Sequence, residues 1–145
     1  MSALHRIKTV LGAGLGSAAI LLAGCAGMSG ARSVNVSLSG SEEVPPVATA
    51  ARGSGSVTVG EDMSVSGSFT TTGLSPVAAH IHTGARGKNG PVAIGFAKTG
   101  DNVWTLPAGA KFTDAQYAAF KAGETYVNVH TPANMGGEIR SQLQP

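Results

Sequence analysis

From residue 34 onward, apolar and polar residues alternate with a period of two, and Gly, Pro and Asn interrupt the pattern every few residues. "VNVSL" sets Val34, Val36 and Leu38 on one face, and "GSVTV" does the same with Val57 and Val59. "MSVSGSFTT" aligns Met63, Val65, Gly67 and Phe69, "PVAIGFA" aligns Val92, Ile94 and Phe96, and "YVNVH" aligns Val127 and Val129. Such a stripe can be buried by a β-strand with one covered face, whereas a helix would scatter it around its circumference. The breaks "EVPPV", "VGED", "TGLSP", "GKNGP" and "KTGDN" carry the residues that turns require. Short strands at this spacing predict an all-β fold, an antiparallel β-sandwich or Greek-key barrel.

One segment departs from that period. In "FTDAQYAAFKAG" Thr113 and Gln116 have capping-box spacing, Tyr117 and Phe120 share a helical face, and Gly123 stands at the expected C-cap. The spacing predicts one short helix near 114–121, crossing an end of the sandwich. Aromatic residues are few, so valine and alanine must fill most of the core.

The N-terminus reads as an address. His5, Arg6 and Lys8 precede "TVLGAGLGSAAILLA", an apolar stretch too short and glycine-interrupted for a permanent membrane span. It ends in "LAGC", which resembles a bacterial lipobox with Cys25 as the lipidated residue. The expected organisation is a signal peptide over 1–24, a lipidated Cys25 and flexible tether over 25–33, and one domain over 34–145. The mature chain then has about 120 residues, which suits one domain. Losing Arg6 and Lys8 from ten basic residues leaves eight against eight acidic ones, so the formal charge of +2 belongs to the signal peptide. No basic patch remains to argue for nucleic acid. The single cysteine is the lipidated one, which excludes disulfides and thiolate metal sites from the mature domain. The expected location is the bacterial cell envelope, lipid-anchored and facing the periplasm or the cell surface, at the outer membrane in a host with two membranes.

Chemistry is concentrated in the histidines. The chain has four, and only His5 lies in the signal peptide. In "AAHIHTGARGKNGPV" His80 and His82 are two residues apart, so both project from one strand face while Ala79 and Ile81 point the other way. In "TYVNVHT" the alternation sets Tyr126, Asn128 and His130 opposite Val127 and Val129. If the two strands are neighbours, three imidazoles meet on the outside of the sandwich beside the loop 84–90. Three neutral imidazoles from two rigid strands form a donor set for Cu(II) or Zn(II). Met135 lies five residues after His130 across an expected turn, and is a candidate fourth, soft ligand favouring Cu(I). Asn128 and Glu138 are candidates for supporting the ligands from behind. Glu138 and Arg140 are expected to form an ion pair with Glu43 or Arg52 across strands. Arg86 and Lys88 could steer an anion toward a catalytic metal.

The blocks "SGSEEVPPVATAARGSG", "AAHIHTGARGKNGPV" and "AGETYVNVHTPANMGGEIRSQL" together resemble the CHRD (chordin-type) domain family, from about residue 34 to 143. The resemblance implies a β-sandwich found in exported bacterial proteins and in an extracellular BMP antagonist, with an immunoglobulin-like or Cu,Zn superoxide dismutase-like architecture. The HxH block is also similar to the metal strand of Cu,Zn superoxide dismutases, although that enzyme's fourth copper histidine, zinc set and disulfide cysteines have no counterpart here. Met135 stands where proline, and Ser141 where glycine, is expected in CHRD relatives.

These readings converge on a copper-binding protein using His80, His82 and His130, with copper ahead of zinc, for sequestration, resistance or delivery. Its expected partners are the metal ion, the membrane through its lipid and, in a second reading, another protein. That second reading is an extracytoplasmic interaction module in which the histidines are incidental. A third is a superoxide dismutase-like copper enzyme; no catalytic residue is assigned.

Overall fold

The computed structural model describes residues 30–145, so the segment 1–24 expected to be a signal peptide, and Cys25, lie outside the described residues. The strands are β1 (Arg32–Ser39), β2 (Arg52–Val59), β3 (Val65–Thr72), β4 (Ala78–Thr83), β5 (Val92–Gly95), β6 (Ala97–Lys98), β7 (Val103–Thr105), β8 (Thr125–His130) and β9 (Ile139–Leu143), with one helix, α1 (Asp114–Lys121), between β7 and β8. They form one nine-stranded sheet in the order β5-β4-β8-β9-β1-β2-β3-β7-β6. All the strand pairs are antiparallel. The fold is all-β, as the alternation requires.

The sheet curls until it nearly closes as a barrel. Its two outermost strands, β5 and β6, are consecutive in the chain and separated only by Phe96. At that corner the Phe96 N–H donates to the Ala79 carbonyl at 2.9 Å. The Phe96 ring meets Phe69 of β3 edge-on at 4.9 Å. The enclosed core includes Val36, Leu38, Val57, Val59, Phe69, Ile81, Trp104, Phe120, Val127, Val129, Ile139 and Leu143. Each fully buried aliphatic or aromatic side chain here contributes about 1.5–3 kcal/mol.

Between β9 and β1 the ladder is reduced to one paired position, Ser39 with Arg140. Beyond it the Ser37 N–H donates to the Ser141 hydroxyl at 3.1 Å. The residue that departs from the family's expected glycine is therefore used, its side chain replacing a backbone acceptor at a seam. The helix begins as its capping box predicts, with the Thr113 N–H donating to Gln116 Oε1 at 2.9 Å and the Gln116 N–H to Thr113 Oγ1 at 3.3 Å. Ala122 is the C-cap, and Gly123 follows it at φ 72°.

Three local expectations are corrected. β1 starts at Arg32, so the last two residues assigned to the tether are strand. Met63 lies before β3, in the turn that joins it to β2, at φ 66°, where Asp62 Oδ1 accepts from the Ser64 N–H at 3.1 Å and its hydroxyl at 2.6 Å. Val92 does not share the inner face of Ile94: the ladder shifts between Ile81 and His82, pairing Ile81 with Ile94 but His82 with Val92. One extra residue, Ala93, turns Val92 onto the histidine side, where it is exposed.

Candidate metal centre

β4 and β8 are hydrogen-bonded neighbours, with His80 opposite Asn128, His82 opposite Tyr126 and Ala78 opposite His130. Ala79 and Ile81 of β4, and Val127 and Val129 of β8, are buried in the core. Strand geometry sends the intervening residues to the other face. His80, His82 and His130 thus come together, each offering a ring nitrogen within 4.8 Å of the others. Ring centroids are 4.9 Å apart for His80 and His130, 5.6 Å for His80 and His82, and 5.8 Å for His82 and His130.

Hydrogen bonds decide which nitrogen each ring presents. His82 Nδ1 lies 2.9 Å from the Gly90 carbonyl and His130 Nδ1 lies 2.9 Å from the Met135 carbonyl. A carbonyl only accepts, so both Nδ1 atoms carry the proton and both Nε2 atoms carry the lone pair when the rings are neutral. His80 Nδ1 is 3.0 Å from His130 Nε2, and must donate to it in the metal-free protein. His82 Nε2 is buried with no hydrogen-bond partner. Burying an imidazole lone pair without a donor is costly, and a metal ion is one means of satisfying it. Two lone pairs preset by backbone carbonyls, and a third released by moving one proton on His80, fit a metal bound through nitrogen alone.

Burial and neighbouring charge favour the neutral forms of His80 and His82. Burial pushes the His80 pKa below its usual value, and the neighbouring His130 and His82 push it further the same way. His82 is likewise lowered, chiefly by burial, with His130 and Arg140 assisting; its bond to Gly90 and the adjacent Asn128 oppose the shift. Neutral imidazole is the form that binds a metal.

The rings lie on the face away from the core, as expected, but that face is covered around His82, while His80 and His130 are half-buried. Tyr126, Asn128 and Arg140 are each at most 2% exposed and His82 is 8% exposed. Two loops close over them. Residues 84–90 are tied to 42–44 by the Arg86–Glu42 ion pair and by Asn89 Nδ2 donating to the Val44 carbonyl at 2.7 Å. Arg86 is engaged there, rather than free to steer an anion. Gly90 is obligatory in this loop: a Cβ on it would sit 1.7 Å from the Thr83 carbonyl oxygen.

The remaining candidates fall as follows. Met135 touches the site through its carbonyl, while the residue as a whole is 69% exposed. The Glu138 carboxylate accepts from Thr131 Oγ1 at 2.6 Å, Thr49 Oγ1 at 2.9 Å and Asn134 Nδ2 at 3.3 Å, and no imidazole is among its partners. The Thr131 bond, more than any other influence, lowers its pKa. The expected Glu138–Arg140 ion-pair network does not form; among the described residues Arg86–Glu42 is the salt bridge. Arg52 instead donates to the Ala51 carbonyl at 2.7 Å. Asn128 Nδ2 donates to the Gly136 carbonyl at 3.1 Å and to Glu43 Oε1 at 3.4 Å, while its Oδ1 is buried without a partner.

Sequence reasoning missed three participants. Glu43 is 4% exposed, and burial pushes its pKa up to about 7 against the opposing pull of Arg140. Tyr126 stacks on His82, centroids 5.0 Å apart and planes 8° from parallel. The Arg140 guanidinium lies 3.4 Å from the Tyr126 ring centroid. The available signal was that Tyr126 and Asn128 precede His130 on its own face, with Glu43 in the "EVPPV" turn.

The CHRD domain family matches residues 34–143, and the chain belongs to that family. No curated protein and no solved structure matches it.

Proposed function

We propose that this CHRD-domain protein is an exported copper-binding lipoprotein, anchored through Cys25, whose His80, His82 and His130 take up the ion for sequestration, resistance or delivery. The observation that carries the reading is the convergence of three imidazole nitrogens within 4.8 Å, one of them buried and unpaired. The donor chemistry supports copper. An all-imidazole set without thiolate follows the Irving–Williams order, in which Cu(II) is bound more tightly than Ni(II) or Zn(II).

Metal analysis of protein purified from its native compartment, with calorimetry and copper EPR, tests the reading. Cu(II) is expected to bind most tightly. Each single His→Ala variant loses most of that affinity, and Met135→Leu leaves Cu(II) binding unchanged, since a carbonyl and not the thioether supports His130. If the triple alanine variant binds copper as well as wild type, the metal reading is wrong. An interaction module then takes its place, a reading favoured by one observation. The exposed large apolar residues Val77, Val92 and Met135 all border the histidines: Val77 bonds the His130 carbonyl, Val92 pairs with His82, and Met135 bonds the His130 ring. Dismutation of superoxide far faster than by free copper would identify an enzyme instead.

A further inference from the structure

We propose that Tyr126 and Arg140 are positioning residues of the histidine centre, setting the orientation and the tautomer of His82 from the far side of β8. The proposal rests on the metal-binding reading for its consequence, but its geometry stands in the metal-free protein.

β8 lies between β4 and β9; Tyr126 pairs with His82 on β4 and with Gln142 on β9, and Arg140, diagonal to it on β9, lays its guanidinium on the Tyr126 ring. The three planar groups form one column, with the imidazole nearly parallel to the phenol ring at 5.0 Å and the guanidinium 3.4 Å from its centroid. Arg140 is 1% exposed, yet among the described residues no carboxylate lies within salt-bridge distance of it. A buried cation without an ion-pair partner is a costly thing to keep for stability alone. Its donors are spent instead on the loop that serves His82. Nη2 donates to the Ala85 carbonyl at 3.3 Å and to Gln142 Oε1 at 3.1 Å, and Nη1 donates to Asn89 Oδ1 at 3.3 Å.

That loop ends at Gly90, whose carbonyl accepts from His82 Nδ1 at 2.9 Å and whose N–H donates to the Tyr126 hydroxyl at 3.1 Å. Arg140 therefore reaches His82 by two routes, through the Tyr126 ring and through the loop backbone. The ring route fixes the plane of the imidazole. The loop route holds the proton on Nδ1 and leaves Nε2 for the ion. Partners of this kind, which touch a ligand and not the metal, commonly govern affinity by 10–100-fold.

The test uses the full-length protein in detergent, with two readouts. Long-range nitrogen–proton NMR of the metal-free protein reports the His82 tautomer, and Cu(II) titration reports affinity. Wild-type His82 is expected as a single Nδ1–H tautomer. Tyr126→Leu removes the stack and the Gly90 acceptor, and should give a mixture of His82 tautomers with affinity lower by about 10–100-fold. Tyr126→Phe keeps the stack and should retain most of that affinity. Asn89→Ala, a change at an exposed residue, loosens the loop and should fall between these two. Arg140→Lys should not restore what Arg140→Leu loses, because an ammonium cannot reproduce the planar fork. A single Nδ1–H tautomer and an affinity within about twofold of wild type in both Tyr126→Leu and Asn89→Ala would overturn the proposal, being far below the usual effect of such partners. If wild type binds no copper, the proposed function fails while the tautomer readout still decides the positioning role.

Discussion

Replacing Glu43 with Gln should make the protein more stable at neutral and alkaline pH, and the size of the effect follows from the carboxylate's surroundings. Glu43 is 4% exposed, and burial raises its pKa from 4.5 to about 7 despite Arg140 and Asn128. Below pH 4.5 the folded and unfolded chains both hold the proton. Between 4.5 and 7 the unfolded chain releases it and the folded chain keeps it, so stability falls as pH rises. Above 7 both are ionised and the deficit is constant. Each pKa unit corresponds to about 1.4 kcal/mol, so the full deficit is about 3 kcal/mol, a large share of the roughly 5–15 kcal/mol that holds a domain together. Glutamine has the shape of the protonated acid and keeps an oxygen for Asn128, but cannot ionise. Denaturant unfolding of both proteins at a series of pH values should show curves that run together in acid and separate between pH 4.5 and 7. Glu138, His80 and His82 titrate alike in both proteins and cancel in the difference. Parallel curves across that window would falsify the assignment of a disfavoured, ionisable carboxylate to this position.

Proton NMR of the metal-free protein should show the His80 and His82 rings titrating below the usual histidine value of 6.5, because burial disfavours their charged forms; midpoints at or above 6.5 would contradict this. Gly90→Ala should displace the loop 84–90, since its Cβ would meet the Thr83 carbonyl at 1.7 Å, and should lower copper affinity by about 10-fold or more through loss of the His82 acceptor. Crystallography of the variant, or an unchanged titration, checks it. Cys25→Ser should release a soluble domain of unaltered thermal stability, because Cys25 is the chain's single cysteine and no disulfide is lost; its retention in the membrane fraction would count against lipid anchoring.

The period of two made the strands legible, and strand geometry then placed all three histidines on one face of two strands. Adjacency of those strands was an assumption that the β4–β8 ladder bears out. What alternation could not reveal was a second layer. A strand with one covered face and a strand sealed on its polar side by loops have the same sequence pattern, so the burial of Tyr126, Asn128, Arg140 and Gln142 was unreadable. The Val92 error has a different origin. A bulge changes the phase of the alternation by one residue without altering composition, and only the partner strand shows it. Glu138 was misjudged because a carboxylate near arginines suggests an ion pair, whereas hydroxyls of Thr49 and Thr131 reached it first.

The charge around the histidines leads to a last prediction, about oxidation state. The three proposed ligands are imidazoles, which bind a metal without a charge of their own, Arg140 brings positive charge toward His82, and the Glu138 carboxylate is satisfied by hydroxyl and amide donors elsewhere. Glu43 is the acid linked to the centre, through Asn128 on the face of β8 that carries His130, and it ionises near pH 7. Its charge should therefore matter in proportion to the charge of the bound ion, since Coulomb energy scales with the product of the two. At pH 8, Glu43→Gln is expected to weaken Cu(II) binding by about twice as much, in logarithmic units, as Cu(I) binding. At pH 5.5, where the wild-type carboxyl is protonated, the variant and wild type should bind either ion alike. Direct titration for Cu(II), and competition against a cuprous chelator for Cu(I), supply both numbers at both pH values. Equal losses for the two ions at pH 8 would mean that Glu43 acts on the site through packing, not through its field. A loss that persists at pH 5.5, where no charge remains to remove, would likewise point to packing.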